Sequence, residues 1–242
     1  EVDTTLPAAP TLTGPSLTKS TAVPLTGTAE PGSTVRIYDG GNLLDSTGAE
    51  SGSYSITVPN LSEGSHDITA TVTDQAGNES GYSPTLTVVV DTTAPVITLL
   101  GSVSPTTAEA GFQYSDAGAT ADGQESVVTA GAVDTSILGD HLLNYTAQDL
   151  AGNVGTATRT VNVEDTTSPV IALIGDAEVT IEVGGSYTEL EATVSDNYDT
   201  GLSATIDSSA VDTSVVDSYT VTYNVTDDSG NAARGERGLD GV

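Results

Sequence analysis

The chain has 242 residues, of which 34 are acidic and 5 basic, for a net charge of -29; nucleic acid and anionic membranes are poor partners for it, and divalent cations are the natural counterpart. It has no Cys and no Met, which excludes disulfides and thiolate metal sites, and a missing initiator Met is expected of a mature or excised piece whose signal or anchor lies elsewhere. No stretch approaches the roughly 18 apolar residues of a membrane-spanning helix, so direct membrane insertion is not expected.

Thr, Ser, Val and Gly dominate and strong helix formers are scarce, which favours β-structure throughout. In chain order, Val35-Arg36-Ile37-Tyr38 alternates apolar with polar, Asp39-Gly40-Gly41-Asn42 reads as a tight turn, and Leu43-Leu44 begins the return strand. Tyr54–Val58, Ile68–Thr73 and Leu86–Val90 alternate in the same way. Short half-buried strands separated by turns are the pattern of a two-sheet sandwich.

Two phrases then recur in a fixed order. Asp3-Thr4-Thr5-Leu6-Pro7, Asp91-Thr92-Thr93-Ala94-Pro95 and Asp165-Thr166-Thr167-Ser168-Pro169 form one set; Asp74-Gln75-Ala76-Gly77-Asn78, Asp149-Leu150-Ala151-Gly152-Asn153 and Asp227-Asp228-Ser229-Gly230-Asn231 form the other. Their spacing of roughly 75 to 90 residues means tandem copies of one domain. The expected division is 1–90, 91–164 and 165–234, with a glycine-rich tail at 235–242. The second and third copies are the closer pair: Ala132–Ser136 recurs as Ala210–Ser214, and Tyr145–Asn153 as Tyr223–Asn231.

The Asp-Thr-Thr-x-Pro linkers, the Tyr-x-x-x-Asp-x-x-Gly-Asn segment and the Gly-x-x-Tyr-x-Asp/Glu-x-x-Ala-Thr stretch (Gly111–Thr120, Gly184–Thr193) resemble bacterial immunoglobulin-like domains of large surface proteins; Gly27–Val35 resembles a second variety of the same group. The resemblance implies an all-β chain of tandem immunoglobulin-like β-sandwich domains in an extended array, each of seven strands, in an extracellular or cell-surface adhesin-type protein, with Ca²⁺ at the domain junctions. Flanking domains of the same parent protein are then the expected partners, and no particular ligand is implied.

One departure stands out. After Asn153 a closing strand runs from Thr156 to Val163, but no alternating apolar strand can be drawn through Ala232–Val242, so the third sandwich is expected to lack its last strand. Gly235, Gly238 and Gly241 fall every third residue, as a collagen helix requires. A collagen-like stalk, which would make the parent a trimer, a replaced strand and an artificial end all remain open.

In a seven-strand sandwich the linker, the loop after the second strand and the loop after the sixth share one pole. The junction into the second copy thus gathers Asp91, Asp122, Glu125, Asp149 and Asn153, with Glu63 approaching from the first. The next gathers Asp165, Asp196, Asn197, Asp199, Asp227 and Asn231, with Asp134 and Asp140 from below. The first copy offers Asp3, Glu30, Asp74 and Asn78. Calcium takes six to eight such oxygens at about 2.3–2.6 Å, and a cation would turn the mutual repulsion of these carboxylates into a clamp. Against this, Asp in Asp-x-x-Gly-Asn can simply organise a turn.

Catalysis is not expected. His66 and His141 lie in different copies, and the carboxylates fall at poles rather than in an aromatic-lined cleft. Lys19, the only lysine, falls in a Ser/Thr-rich segment expected to be exposed, so Lys–Asn crosslinks are not expected either. Tyr145, Tyr223, Tyr114 and Tyr187 sit at matching positions and read as core or corner tyrosines. A calcium-rigidified spacer is the leading expectation. The alternatives are a carbohydrate-binding accessory module of an adhesin or secreted hydrolase, using Tyr38, Tyr82 or Tyr198 against a glycan or cell-surface ligand, and a structural subunit of a fibre or phage-type appendage.

Overall fold

The computed structural model describes residues 3–102 and 105–242, and among these all helical or strand structure is β. The first sandwich contains β1 (Leu17–Thr18), β2 (Val23–Thr28), β3 (Ser33–Asp39), β4 (Asn42–Ala49), β5 (Ser53–Val58), β6 (Gly64–Thr73) and β7 (Leu86–Val90). One sheet runs in the order β1-β7-β6-β3-β4 and the other pairs β2 with β5. The alternation expected of β3 is present: Val35 and Ile37 are fully buried and pack with Val23, Leu25, Tyr54, Ile68, Val72 and Val88. The β3–β4 turn rests on Gly40 and Gly41, at φ 53° and 89°, a conformation that two successive glycines adopt without Cβ strain.

The middle repeat supplies β8 (Ile97–Leu99), β9 (Thr106–Glu109), β10 (Ala119–Ala121), β11 (Val128–Ala130), β12 (Gly139–Gln148) and β13 (Val154–Glu164), in sheets β10-β8 and β11-β12-β13-β9. The third supplies β14 (Val170–Leu173), β15 (Glu178–Ile181), β16 (Ala192–Ser195), β17 (Thr205–Asp207), β18 (Ser218–Thr226) and β19 (Ala232–Gly241), in sheets β14-β16 and β15-β19-β18-β17. The two plans are the same, down to the parallel pairs β9–β13 and β15–β19. Residues 1–98, 119–128 and 145–157 form one compact unit and residues 99–118, 129–144 and 158–242 a second, so the middle repeat contributes to both.

β19 corrects the expectation of a missing last strand. Ala232–Gly241 pairs antiparallel with β18 from Ser218↔Asp240 to Thr226↔Ala232, and Glu178–Ile181 pairs on its other side. The strand does alternate, but Arg237 occupies an inward position beside Leu239, with only 1% of the residue exposed. Its guanidinium pairs with Glu189 Oε1, its Nε donates to the Asp176 carbonyl at 3.0 Å, and it lies over the Tyr223 ring at 5.8 Å. The hydroxyls of Tyr187 and Tyr223 also donate to Glu189. The glycine-rich tail is therefore part of the sandwich. Gly235 makes room for Ile171 and Tyr223, and Gly241 for the backbone carbonyls of Val215 and Asp217.

The middle repeat carries the counterpart. Arg159 in β13 is buried and pairs with Asp116, while its guanidinium also reaches the Leu100 carbonyl. Asp116 and Glu189 each follow a tyrosine by two residues in the Gly-x-x-Tyr-x-Asp/Glu stretch. That stretch thus places the acid that lets an arginine close the core. Tyr145 and Tyr223 are fully buried, as their matching positions suggested.

In the first sandwich, His66 Nδ1 lies 2.7 Å from Asp39 Oδ2 and Nε2 lies 2.8 Å from the Ser62 carbonyl. Both partners are acceptors, so the site fits the imidazolium, with both nitrogens donating. The bonds to Asp39 and Ser62 raise its pKa, with burial opposing.

Two outcomes follow from these buried charges. Arg237→Ala strands Glu189 without its cation and should cost about 3–5 kcal/mol in urea unfolding, whereas Arg234→Ala, on the outward face of the same strand with a side chain 61% exposed, should cost at most about 1 kcal/mol. Because the folded pKa of His66 lies above its unfolded value, its contribution is fully present below about pH 6.5 and is lost as pH rises through the folded value. The urea midpoint of the first sandwich should fall between about pH 6 and about pH 9, and His66→Gln should remove that dependence.

Candidate metal centre

Each Asp-x-x-Gly-Asn phrase folds into the same loop. The glycine takes a positive φ, 95° at Gly77, 93° at Gly152 and 97° at Gly230. The aspartate amide donates to the carbonyl of the asparagine, at 3.1, 3.1 and 3.0 Å for Asp74, Asp149 and Asp227. The asparagine returns two bonds to the aspartate carboxylate: its backbone N to Oδ1 at 2.8, 2.8 and 2.7 Å, and its Nδ2 to Oδ2 at 2.8, 2.8 and 2.9 Å for Asn78, Asn153 and Asn231. The turn function is therefore realised in full.

The same Nδ2 also donates to the backbone carbonyl of the linker aspartate. The distances are 3.2 Å from Asn78 to Asp3, 2.8 Å from Asn153 to Asp91 and 3.1 Å from Asn231 to Asp165. The loop and the linker thus meet at one pole, as the topology required. The linker threonines are held from the preceding sandwich by a glutamate. Glu63 accepts from Thr92 N at 2.8 Å and from the hydroxyls of Thr92 and Thr93. Glu109 accepts from the backbone N of Thr166 and Thr167, both at 2.9 Å, and from both hydroxyls, at 2.6 and 2.7 Å. Burial acts to raise the Glu109 pKa, but the bonds from Thr166 and Thr167 outweigh it and bring it to about 2.

At the linker 165–169 the acids converge furthest. Asp165, Asp199 and Asp227 each place a carboxylate oxygen within 4.8 Å of the others, and Asp165 and Asp227 are buried. Asp196 folds its own loop by accepting from Tyr198 N at 2.9 Å and Asp199 N at 3.0 Å through Oδ1. Asp165 Oδ2, Asp196 Oδ2 and Asn197 Oδ1 are all buried without a hydrogen-bond partner. All three are oxygens that can only accept. Burial raises the Asp165 pKa, with the Ser229 hydroxyl opposing and the charges of Asp196 and Asp227 adding to the rise. Leaving such oxygens unpaired costs on the order of 1–3 kcal/mol each, and a bound cation relieves both the desolvation and the repulsion.

The junction at Asp91 is built from the same parts with a different result. Asp91, Asp122, Glu125 and Asp149 line a recess of about 280 Å³ with Thr93, Ala94, Pro95 and Gly123. Asp122 Oδ1 is occupied by the backbone N of Val96 at 2.8 Å and of Gly123 at 3.1 Å, while Glu125 Oε2 is buried without a partner. Lys19, exposed as expected, donates Nζ to the Gly152 carbonyl at 2.9 Å, so the single lysine sits against this loop. In the first repeat Asp3, Asp74 and Asn78 come together, whereas Glu30 lies in the β2–β3 turn, where its carbonyl accepts from Ser33.

Sequence reading missed Glu109 as a clamp. A signal was present: Glu109 precedes Gly111 by two residues, as Glu182 precedes Gly184.

The sequence model of the family described as "Bacterial surface protein, Ig-like domain" matches residues 97–163 and again 171–239, and that of the family described as "Bacterial Ig-like domain" matches residues 12–92. The chain belongs to the bacterial surface protein Ig-like family. Among curated relatives of this Ig-like chain, hyalin of Lytechinus variegatus is 32% identical over 179 residues, covering 69% of this chain and 34% of the relative. Bacillopeptidase F of Bacillus subtilis (strain 168) is 28% identical over 194 residues, covering 74% of this chain and 13% of the relative. The Ig-like chain thus spans about a third or less of the relatives it matches. Among solved structures, a Ca²⁺-stabilised adhesin that helps an Antarctic bacterium bind ice aligns with a TM-score of 0.40 and 16% identity over 97% of this chain and 74% of that one. Fibronectin(III)-like modules of Clostridium thermocellum CbhA align with a TM-score of 0.35 and 18% identity over 64% of this chain and 94% of that one. Likeness at these TM-scores says nothing of ligand or partner.

Asn153→Ala removes the bonds to the Asp149 carboxylate and the Asp91 carbonyl together. Hydrogen exchange at Thr93 should quicken about tenfold, equivalent to about 1.4 kcal/mol of local opening, while exchange in β3 and β6 stays unchanged.

Proposed function

We propose that these Ig-like repeats form a non-catalytic extracellular spacer, coupled to the flanking domains of a longer surface protein, in which Ca²⁺ bound at the 165–169 linker stiffens the chain. The observation that carries this reading is the convergence of the Asp165, Asp199 and Asp227 carboxylates on one another, with Asp165 Oδ2 buried and unpartnered there and Asp196 Oδ2 and Asn197 Oδ1 buried and unpartnered in the loop that carries Asp199. They are hard oxygen donors, several of them charged and one an amide carbonyl. Such a set suits Ca²⁺ better than Mg²⁺, which keeps much of its water and asks for few protein ligands. When bound, the cation would supply charge neutralisation and cross-linking of the loops. We assign Asp165, Asp199 and Asp227 as its ligands, with Asp196 and Asn197 as further candidates from the same loop as Asp199.

The remaining cations of the chain support the same reading. Arg159 and Arg237 are buried and paired within the sandwiches, so the surface is left to Lys19, Arg36 and Arg234, and little protein charge is available to offset the junction acids. The fibre-subunit alternative rested on an unpaired sandwich edge, which β19 fills. The glycan alternative has Tyr38 and Tyr82 in edge-to-face contact at 5.6 Å, with Tyr82 exposed.

Asp165→Asn separates metal binding from folding. Removing one buried charge should raise the melting temperature of the chelator-stripped protein by a few degrees, because repulsion is relieved. It should also weaken Ca²⁺ binding at this site at least about tenfold by calorimetry, with the calcium-dependent rise in melting temperature shrinking accordingly. A wild-type chain that melts identically with and without calcium would defeat the proposal.

A further inference from the structure

Asn197 faces two ways at the second junction. Its Nδ2 donates to the Ala110 carbonyl of the preceding sandwich at 2.8 Å, with longer contacts to Glu109 Oε1 at 3.4 Å and Asp165 Oδ1 at 3.5 Å. A backbone carbonyl can only accept, so the amide atom beside Ala110 must be the nitrogen. That orientation leaves Oδ1 on the other side of the amide, buried and without a partner. The fit is close. Gly111 abuts the Asn197 carbonyl so tightly that a Cβ there would overlap it, and Gly111 itself sits at φ 73°. The next residue, Tyr198, reaches the Ser136 carbonyl of the same preceding sandwich at 3.3 Å.

We infer that Asn197 is the coupling residue of this junction: its Oδ1 serves a bound divalent cation while its Nδ2 holds Ala110 of the preceding sandwich, so that occupancy of the site and docking of the two sandwiches favour each other. This rests on the calcium reading above and adds the route by which the ion acts. Both demands select the same amide rotamer. A cation drawn to Oδ1 prevents the flip that would set carbonyl against carbonyl at Ala110, and the Ala110 bond presents Oδ1 in advance. By linkage the two effects are equal: docking strengthens cation binding by the factor by which the cation strengthens docking. Asp196 accepts within its own loop, from Tyr198 N and Asp199 N, and Asp199 Oδ2 accepts from Asp228 N at 3.0 Å in the neighbouring loop; neither carboxylate takes part in the Ala110 contact.

The test uses the full chain with calcium chloride, read by calorimetry for binding and by hydrogen exchange at Gly111, Thr166 and Thr167 for docking. In the wild type, calcium should slow exchange at these amides about tenfold or more. Asn197→Asp keeps oxygens for the cation but sets an acceptor against the Ala110 carbonyl; binding should stay within about threefold of wild type while the calcium-dependent protection falls below about twofold. Gly111→Ala removes none of the candidate oxygens, pushes the 196–199 loop off the preceding sandwich, and should show the same loss of protection. It decides the matter if Asn197→Asp binds calcium weakly. Exchange in β3 and β6 reports folding of the variants. Wild-type protection in calcium-bound Gly111→Ala overturns the coupling alone; a wild type that takes up no calcium overturns the spacer reading and the coupling with it.

Discussion

One asparagine holds each linker. In all three repeats the Nδ2 of Asn78, Asn153 or Asn231 donates both to its own aspartate and to the linker backbone, and the rest of the polar pole is arranged around it. The tie needs a loop that brings Asn back onto Asp, hence glycine at positive φ, and it fixes the linker aspartate beside the loop aspartate. In the third repeat the carboxylates of Asp165 and Asp227 are thereby brought within 4.8 Å of one another. The turn and the proposed metal site therefore trace to one motif, since the bonds that shape the loop also create the charge density that a cation would relieve.

The repeats differ in what they add to that pair. At Asp91 the added acids are partly spent on backbone amides, and Lys19 lies against the loop. At Asp165 the loop 196–199 brings two more carboxylates and an amide oxygen, with Asp196 Oδ2 and Asn197 Oδ1 buried and unpaired. Glutamates from the preceding sandwich, Glu63 and Glu109, anchor both linkers through their threonines. The same hydrogen-bond scaffold thus carries different electrostatic loads along one chain. The arginines of β13 and β19 deepen the contrast, because their charge is consumed in the cores and does not reach the poles.

Much of this was legible in the residues because it is local. Strands such as β3 and β6 announce themselves by alternation, and Asp-x-x-Gly-Asn encodes its loop within five residues. The convergence of Asp165, Asp199 and Asp227 was legible too, since topology alone assigns their loops to one pole. What escaped depends on partners far away in sequence. β19 was unreadable because Arg237 counts as outward by polarity, whereas its burial is licensed by Glu189, from the segment between β15 and β16, and by Tyr223 of β18. The three-residue glycine period was a coincidence of distinct needs: Gly235 yields to Ile171, and Gly241 to the carbonyls of Val215 and Asp217. Asn197 was visible as one more oxygen at the junction, but its second role required knowing that Ala110 lies behind it.

The most direct test of the central claim is anomalous diffraction from crystals grown with a lanthanide in place of calcium. The account predicts a peak within coordination distance of Asp165 Oδ2, Asp196 Oδ2 and Asp199, with the Asn197 amide still donating to Ala110. A well-ordered junction with no peak, its carboxylates bridged by water or protonated against one another, would contradict it.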